Sequence, residues 1–198
     1  MRDKWYGDNR DLVKWGVLLE LSERFGCKEI LQILYYRALT LKIGKETVPL
    51  RWEVVEHFRN VKAISGLRCS PRIKLLDDEF GDRTVYRRAI EACLQSMEEG
   101  PAVVFLDPDT GLEPESQKHD LTHVRAIEIQ EIWKLLRSGD VMVFYQHQDN
   151  RNGSEWIERK RVQFARALEI DDPLGQRVKL AHAPEIAKDV AFYFIRRD

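Results

Sequence analysis

The densest group of chemistry-bearing side chains follows the short apolar run Ala102-Val103-Val104-Phe105-Leu106. It reads Asp107-Pro108-Asp109-Thr110-Gly111-Leu112-Glu113-Pro114. Pro108 fixes φ and removes an N–H, and Gly111 opens a turn with positive φ. Two carboxylates on so stiff a loop can stabilise developing positive charge or orient an attacking water. Without chemistry, the same residues would serve as Asx turns that cap local N–H groups. A second group follows the apolar run Val141–Tyr145: Gln146-His147-Gln148-Asp149-Asn150-Arg151-Asn152-Gly153. His147 can donate, accept or carry charge near neutral pH. Asp107, Asp109 and His147 are therefore the expected catalytic residues. Pro108, Thr110, Gly111, Tyr145, Gln146, Asp149 and Asn150 are expected around the substrate.

Two further features border these loops. The opening Trp5-Tyr6-Gly7-Asp8-Asn9-Arg10-Asp11-Leu12-Val13-Lys14-Trp15 places Gly7, Asp8, Asp11 and Lys14 as a substrate-binding set, or more plainly as a helix cap. Arg151, Arg159, Lys160, Arg161 and Arg166 form either a stripe that tracks phosphates or a solvated helix face. His57, His119, His123 and His182 read as surface or packing residues. Cys27, Cys69 and Cys93 lack metal-ligand spacing, so no metal is expected and a reducing cytoplasm suits them.

Elements must position these loops. Hydrophobic spacing predicts a helix over 8–25, a buried strand within Ile30–Leu41, weaker helix over 51–64, and loop with one short strand over 65–82. Next come a helix from Asp82 through Glu98, the strand 102–106, a helix over 121–137 and the strand 141–145. A helix over 152–169 follows, capped by Asn152 with Glu155, and the chain closes with strands Arg177–His182 and Val190–Ile195. This grammar predicts a single α/β domain over 1–198. It is three-layered and Rossmann-like, with a mostly parallel sheet and an antiparallel C-terminal strand pair. In such sheets the site lies outside the carboxyl ends of the strands, where both loops sit.

The chain has 198 residues, 43% hydrophobic and 33% charged. Its 32 Lys and Arg nearly balance 33 Asp and Glu, so capture of a polyanion must rest on a local patch. No apolar run approaches the ~20 residues of a membrane span, and no signal peptide is readable.

Gly7-x3-Asp11-x2-Lys14, the Asp107-Pro108-Asp109-Thr110 loop and the closing strand pair together resemble the class I methyltransferase fold. The likeness is to the bacterial single-chain adenine-N6 methyltransferases of large-subunit ribosomal RNA, which open with Gly-Asn-His-Ala-Asp-Val-Leu-Lys-His and carry Asp-Pro-Pro-Tyr in the catalytic loop. That resemblance implies S-adenosylmethionine and a flipped-out base. Thr40-Leu41-Lys42-Ile43-Gly44-Lys45 stands where such enzymes need a Gly-rich turn, and Asp109-Thr110 replaces Pro-Tyr. Asp107-Pro108 and His147 are also similar to the paired Asp-Pro and His loops of the uracil-DNA glycosylase superfamily. That comparison implies hydrolysis of an N-glycosidic bond without a cofactor.

The first expectation is thus a cofactor-free, glycosylase-like hydrolase that excises a modified base. It would bind nucleic acid, DNA favoured over RNA, with Arg151, Arg159, Lys160 and Arg161 on the backbone. The alternatives are an S-adenosylmethionine-dependent adenine-N6 methyltransferase of RNA or DNA, and a non-catalytic nucleic-acid-binding module on the same fold.

Overall fold

The computed structural model describes residues 6–37, 39–43, 45–58, 60–114, 121–148, 155–172 and 176–198. Asp8 accepts from the backbone N–H groups of Arg10 and Asp11 and starts α1 (Asn9–Phe25); Gly26, at φ 65°, ends it. After β1 (Glu29–Ile33) the chain leaves the sheet to form a hairpin, β2 (Thr40–Ile43) and β3 (Glu46–Pro49). It continues through α2 (Trp52–Phe58) and a 3-10 helix (Val61–Gly66), and returns as β4 (Arg72–Leu76). Then follow α3 (Arg83–Gln95), β5 (Ala102–Leu106), the two-residue strands β6 (Gly111–Leu112) and β7 (His123–Val124), and α4 (Ala126–Leu135). The remaining elements are β8 (Val141–His147), α5 (Trp156–Ala167), β9 (Lys179–Ala183) and β10 (Ala187–Arg196).

The main sheet has the order β4-β1-β5-β8-β10-β9. The first four strands are parallel, and β10 runs antiparallel to both of its neighbours. This is the expected α/β class, a mostly parallel sheet with a closing antiparallel pair. Alternation along the strands fills both faces. Val103, Phe105, Val141 and Val143 pack with Val13, Leu18 and Leu21 of α1. Val104, Leu106, Met142 and Phe144 pack with Ile90, Ile132, Trp133 and Phe164 on the other side. Strands covered on both faces need continuous apolar runs, which is why β5 and β8 stand out in the sequence.

The first half departs from expectation. The strand within Ile30–Leu41 stops at Ile33, because Tyr35 turns to φ 45° and donates its N–H to the Tyr86 hydroxyl. Residues 40–43, read as the place of a cofactor turn, are β2. The segment 51–64 is broken by Asn60, whose side chain caps the 3-10 helix. Asn152, the expected cap of α5, lies outside the described residues; the helix begins at Trp156 with no side-chain bond from its N-cap Glu155. Among the described residues, no helix is long and apolar enough to cross a membrane.

Candidate active site

The carboxyl ends of β5 and β8 and the first turns of α1 enclose a cleft of about 340 Å³. Asp8, Arg10, Asp11, Lys14, Asp107, Pro108, Asp109, Thr110, Tyr145 and His147 line it. At its floor the Lys14 ammonium lies 2.9 Å from Asp11 Oδ1 and 3.0 Å from Asp107 Oδ2, with all three side chains buried. Gln32 donates to the same Asp107 oxygen at 2.7 Å. Asp11 also accepts from the Gly7 N–H at 2.7 Å, and Gly7 sits at φ 81°. The Gly7-x3-Asp11-x2-Lys14 spacing is therefore geometry. A helical step of three stacks the ammonium on Asp11, and only glycine takes the preceding turn without strain. The rings of Tyr145 and Phe105 lie 5.4 and 5.9 Å from the ammonium.

Two carboxylates share one ammonium in this buried group. Burial pushes the Asp107 carboxyl above its ordinary value, with Lys14 countering only in part. Lys14 moves up as well: burial opposes its charge, and Asp107 and Asp11 outweigh that penalty. Asp109 shifts the other way. Burial again favours its neutral form, but surrounding positive charge, the paired Arg37 guanidinium included, holds it below the usual range.

At the rim, Asp189 joins β10 to α1 and β8. It accepts from Arg10 and lies 3.1 Å from His147 Nε2, while His147 Nδ1 lies 2.9 Å from the Gln148 carbonyl. Both ring nitrogens thus face oxygens that can only accept. Despite burial, Arg10 and His147 hold the Asp189 carboxyl below its ordinary value. Gln32, Arg37, Arg10 and Asp189 were not singled out in the sequence. Gln32 and Asp189 lie in strands, Arg10 in the first turn of α1 and Arg37 in a loop, and no local spacing distinguishes any of them.

Several expected site residues have other work. Gln146 is buried. Its Oε1 accepts from the Leu112 N–H at 2.9 Å, and its Nε2 donates to the carbonyls of His147 and Thr110. Gly111, at φ 128°, lets that amide pass; a Cβ there would lie 2.4 Å from it. These two hold the 107–112 loop against β8 and do not line the cleft. The basic stripe is not a surface. Lys160 is 3% and Arg161 4% exposed. Lys160 donates to the Leu112 carbonyl, and Arg161 pairs with Glu158 and Asp172. An amphipathic helix turns every third or fourth residue inward, so a run of basic residues need not share a face. Arg159 and Arg166 are exposed. Asp149, Asn150 and Arg151 lie outside the described residues.

The residues beyond β1 bear on a cofactor. Leu34 and Tyr35 donate their N–H groups to Leu76 O and the Tyr86 hydroxyl, so the backbone there forms no open cradle. Side chains present a different donor set. Gln32 Oε1 and Arg37 Nε are buried with no hydrogen-bond partner, one an acceptor and one a donor, beside the Asp107 and Asp109 carboxylates. That pair of orphans suits the ammonium and carboxylate of an α-amino-acid group. Asp77, just past β4 and paired with Lys62 at 2.7 Å, adds a half-exposed carboxylate suited to hydroxyl groups. The amino-acid end and diol of S-adenosylmethionine fit this set.

No family model matches the chain, and no curated protein matches it. Solved structures do. A DUF574 family protein from Streptomyces avermitilis aligns with TM-score 0.43 and 10% identity over 96% of this chain and 82% of its own. A structure named for a candidate methyltransferase from Thermobifida fusca aligns with TM-score 0.44 and 11% identity over 96% and 80%. Neither is named as a glycosylase. The expectation of a cofactor-free, glycosylase-like hydrolase is corrected on the site itself. Both His147 ring nitrogens face acceptors of the protein itself, Asp189 and the Gln148 carbonyl, which leaves neither to donate to a departing base.

Proposed function

We propose that the chain is an S-adenosylmethionine-dependent methyltransferase whose acceptor is an amino nitrogen held at the Asp107–Thr110 loop. One observation carries this reading: Gly7, Asp11 and Lys14 at the start of α1 meet Asp107, 93 residues beyond Lys14, in steps of no more than 3.0 Å at the carboxyl end of β5. The bound cofactor supplies a methyl group on a sulfonium centre, open to attack by a nitrogen lone pair. Gln32, Arg37 and Asp77 would hold its polar groups. Lys14 and Gln32 fix Asp107 through Oδ2, leaving Oδ1 to accept a hydrogen from the amine and aim its lone pair. Burial makes that carboxyl a better proton acceptor than an exposed aspartate, so it can take the proton that the methylated nitrogen gives up. The Tyr145 ring in the cleft wall offers the flat face that Thr110 lacks.

Calorimetric titration with S-adenosylmethionine tests the reading. A saturable heat that Arg37→Ala weakens at least tenfold supports it. No heat from the wild type, or equal affinity in the variant, overturns it.

A further inference from the structure

Helix α1 is tied to the sheet at two levels of the cleft. At the floor Lys14 pairs with Asp107, just past β5, at 3.0 Å. At the mouth Arg10 pairs with Asp189 of β10 at 2.5 Å. Positions four apart lie on one face of a helix, about 6 Å from each other along its axis. The two partners belong to strands on either side of β8, so the tethers hold α1 against rolling as well as sliding. That roll matters to the site. Asp11 follows Arg10 directly, and its Oδ2 takes the Gly7 N–H at 2.7 Å.

Asp189 is fixed from the sheet side. β10 pairs with β8 in the register Val190↔His147, and Gln148 N donates to Asp189 O at 2.9 Å. The His147 ring completes the mouth. Its Nε2 lies 3.1 Å from the Asp189 Oδ2 that Arg10 uses, and its Nδ1 lies 2.9 Å from the Gln148 carbonyl. A protonated ring donates to both oxygens, whereas a neutral ring donates to one and sets a lone pair against the other. The charged groups of the mouth are Asp189 on β10 and Arg10 and Asp8 on α1, with Asp8 3.2 Å from the same guanidinium. Tyr145 precedes the ring on β8, and the Thr110 carbonyl takes the His147 backbone N–H. The remaining carboxylates of the cleft wall have cations of their own, Lys14 for Asp11 and Asp107 and Arg37 for Asp109. Among the described residues, two carboxylates and one guanidinium leave the mouth one negative charge in excess, which a protonated His147 cancels.

We infer that Asp189 is a positioning residue for this site: through Arg10 and the protonated His147 ring it sets the roll of α1 and places Asp11 and Lys14 against Asp107. The tether stands on its own geometry, while its consequence for the reaction rests on the methyl-transfer reading. As pH rises through the range in which imidazole loses its proton, about 5 to 8, one of the two ring bonds is lost and the mouth regains its negative charge. Arg10 then holds Asp189 alone, and α1 loosens first around Gly7 and Asp11.

Hydrogen exchange of the Gly7 amide tests it, followed by NMR at about pH 6 and about pH 8 and corrected for the intrinsic rate, beside S-adenosylmethionine calorimetry on the same proteins. In the wild type Gly7 should be roughly fivefold or more better protected at the lower pH. Asp189→Asn removes the shared charge and should leave protection low at both values. His147→Gln donates to Asp189 without titrating and should give protection that does not change with pH. That second variant decides the matter should Asp189→Asn fail to fold. Equal protection at both pH values in the wild type, or a wild-type pH dependence in either variant, would overturn the inference even where the cofactor binds. A pH-dependent Gly7 amide without any cofactor heat would overturn the methyl-transfer reading alone.

Discussion

Lys14 and Lys160 are buried to the same 3%, yet they stand in opposite settings. Lys14 lies between two carboxylates at the floor of a cleft, and the group keeps an excess negative charge. Lys160 lies outside that cleft and donates to the Leu112 carbonyl at 3.1 Å. The first arrangement leaves a charge for a ligand to meet, and the second satisfies a loop. Burial of a cation alone does not mark a site; what matters is whether its partners leave an unbalanced charge facing an opening.

Substitutions should separate the two. Lys14→Met leaves Asp11 and Asp107 buried with no cation between them and should destabilise by about 3–5 kcal/mol, read by denaturant unfolding. Gly111→Ala forces a Cβ into the Gln146 amide at a positive φ, and ~2 kcal/mol with loss of loop order is expected. Lys160→Met removes the buried hydrogen bond to the Leu112 carbonyl, and that loss should cost about 1–2 kcal/mol without touching cofactor affinity. Equal losses for Lys14→Met and Lys160→Met would erase the distinction drawn here.

The loop's own carboxylates sharpen the contrast. Asp109 is lowered by its surrounding positive charge against burial, so the stability it contributes is present above the ordinary carboxylate value. It is lost as pH falls through the folded value. Asp107 is raised by burial, so its ionised form costs stability near neutrality, and that cost is relieved as pH falls toward its folded value. Asp109→Asn should therefore flatten the acid limb of a stability–pH profile, and Asp107→Asn should steepen it. Parallel profiles for the two variants would contradict these environments.

How much was legible in the sequence follows the range of the interactions. Helices α1 and α3 carry their caps, Asp8 and Asp82, within three residues, and β5 and β8 announce themselves as apolar runs. Gly7, Asp11 and Lys14 stood out only through the resemblance of their spacing to a family motif. That Lys14 would meet Asp107, 93 residues away, had no sign in the sequence. The β2–β3 hairpin was missed because its strands alternate weakly and bury little, so pattern gives no signal. Lys160 and Arg161 were misread because charge was counted along the chain and not around the helix. The preference for hydrolysis came from a missing Gly-rich turn; the side chains of Gln32 and Arg37, distant from it in sequence or hidden beside it, supply a different donor set.

The account turns on Asp107 as the residue that receives the acceptor nitrogen's hydrogen. Transfer of a labelled methyl group from S-adenosylmethionine to a single-stranded oligonucleotide, compared between wild type and Asp107→Asn, tests this most directly. The account predicts incorporation by the wild type and at least a hundredfold slower transfer by the variant, with cofactor affinity within a factor of three of wild type. Incorporation at the wild-type rate by Asp107→Asn, or none by a wild type that binds both partners, would contradict it.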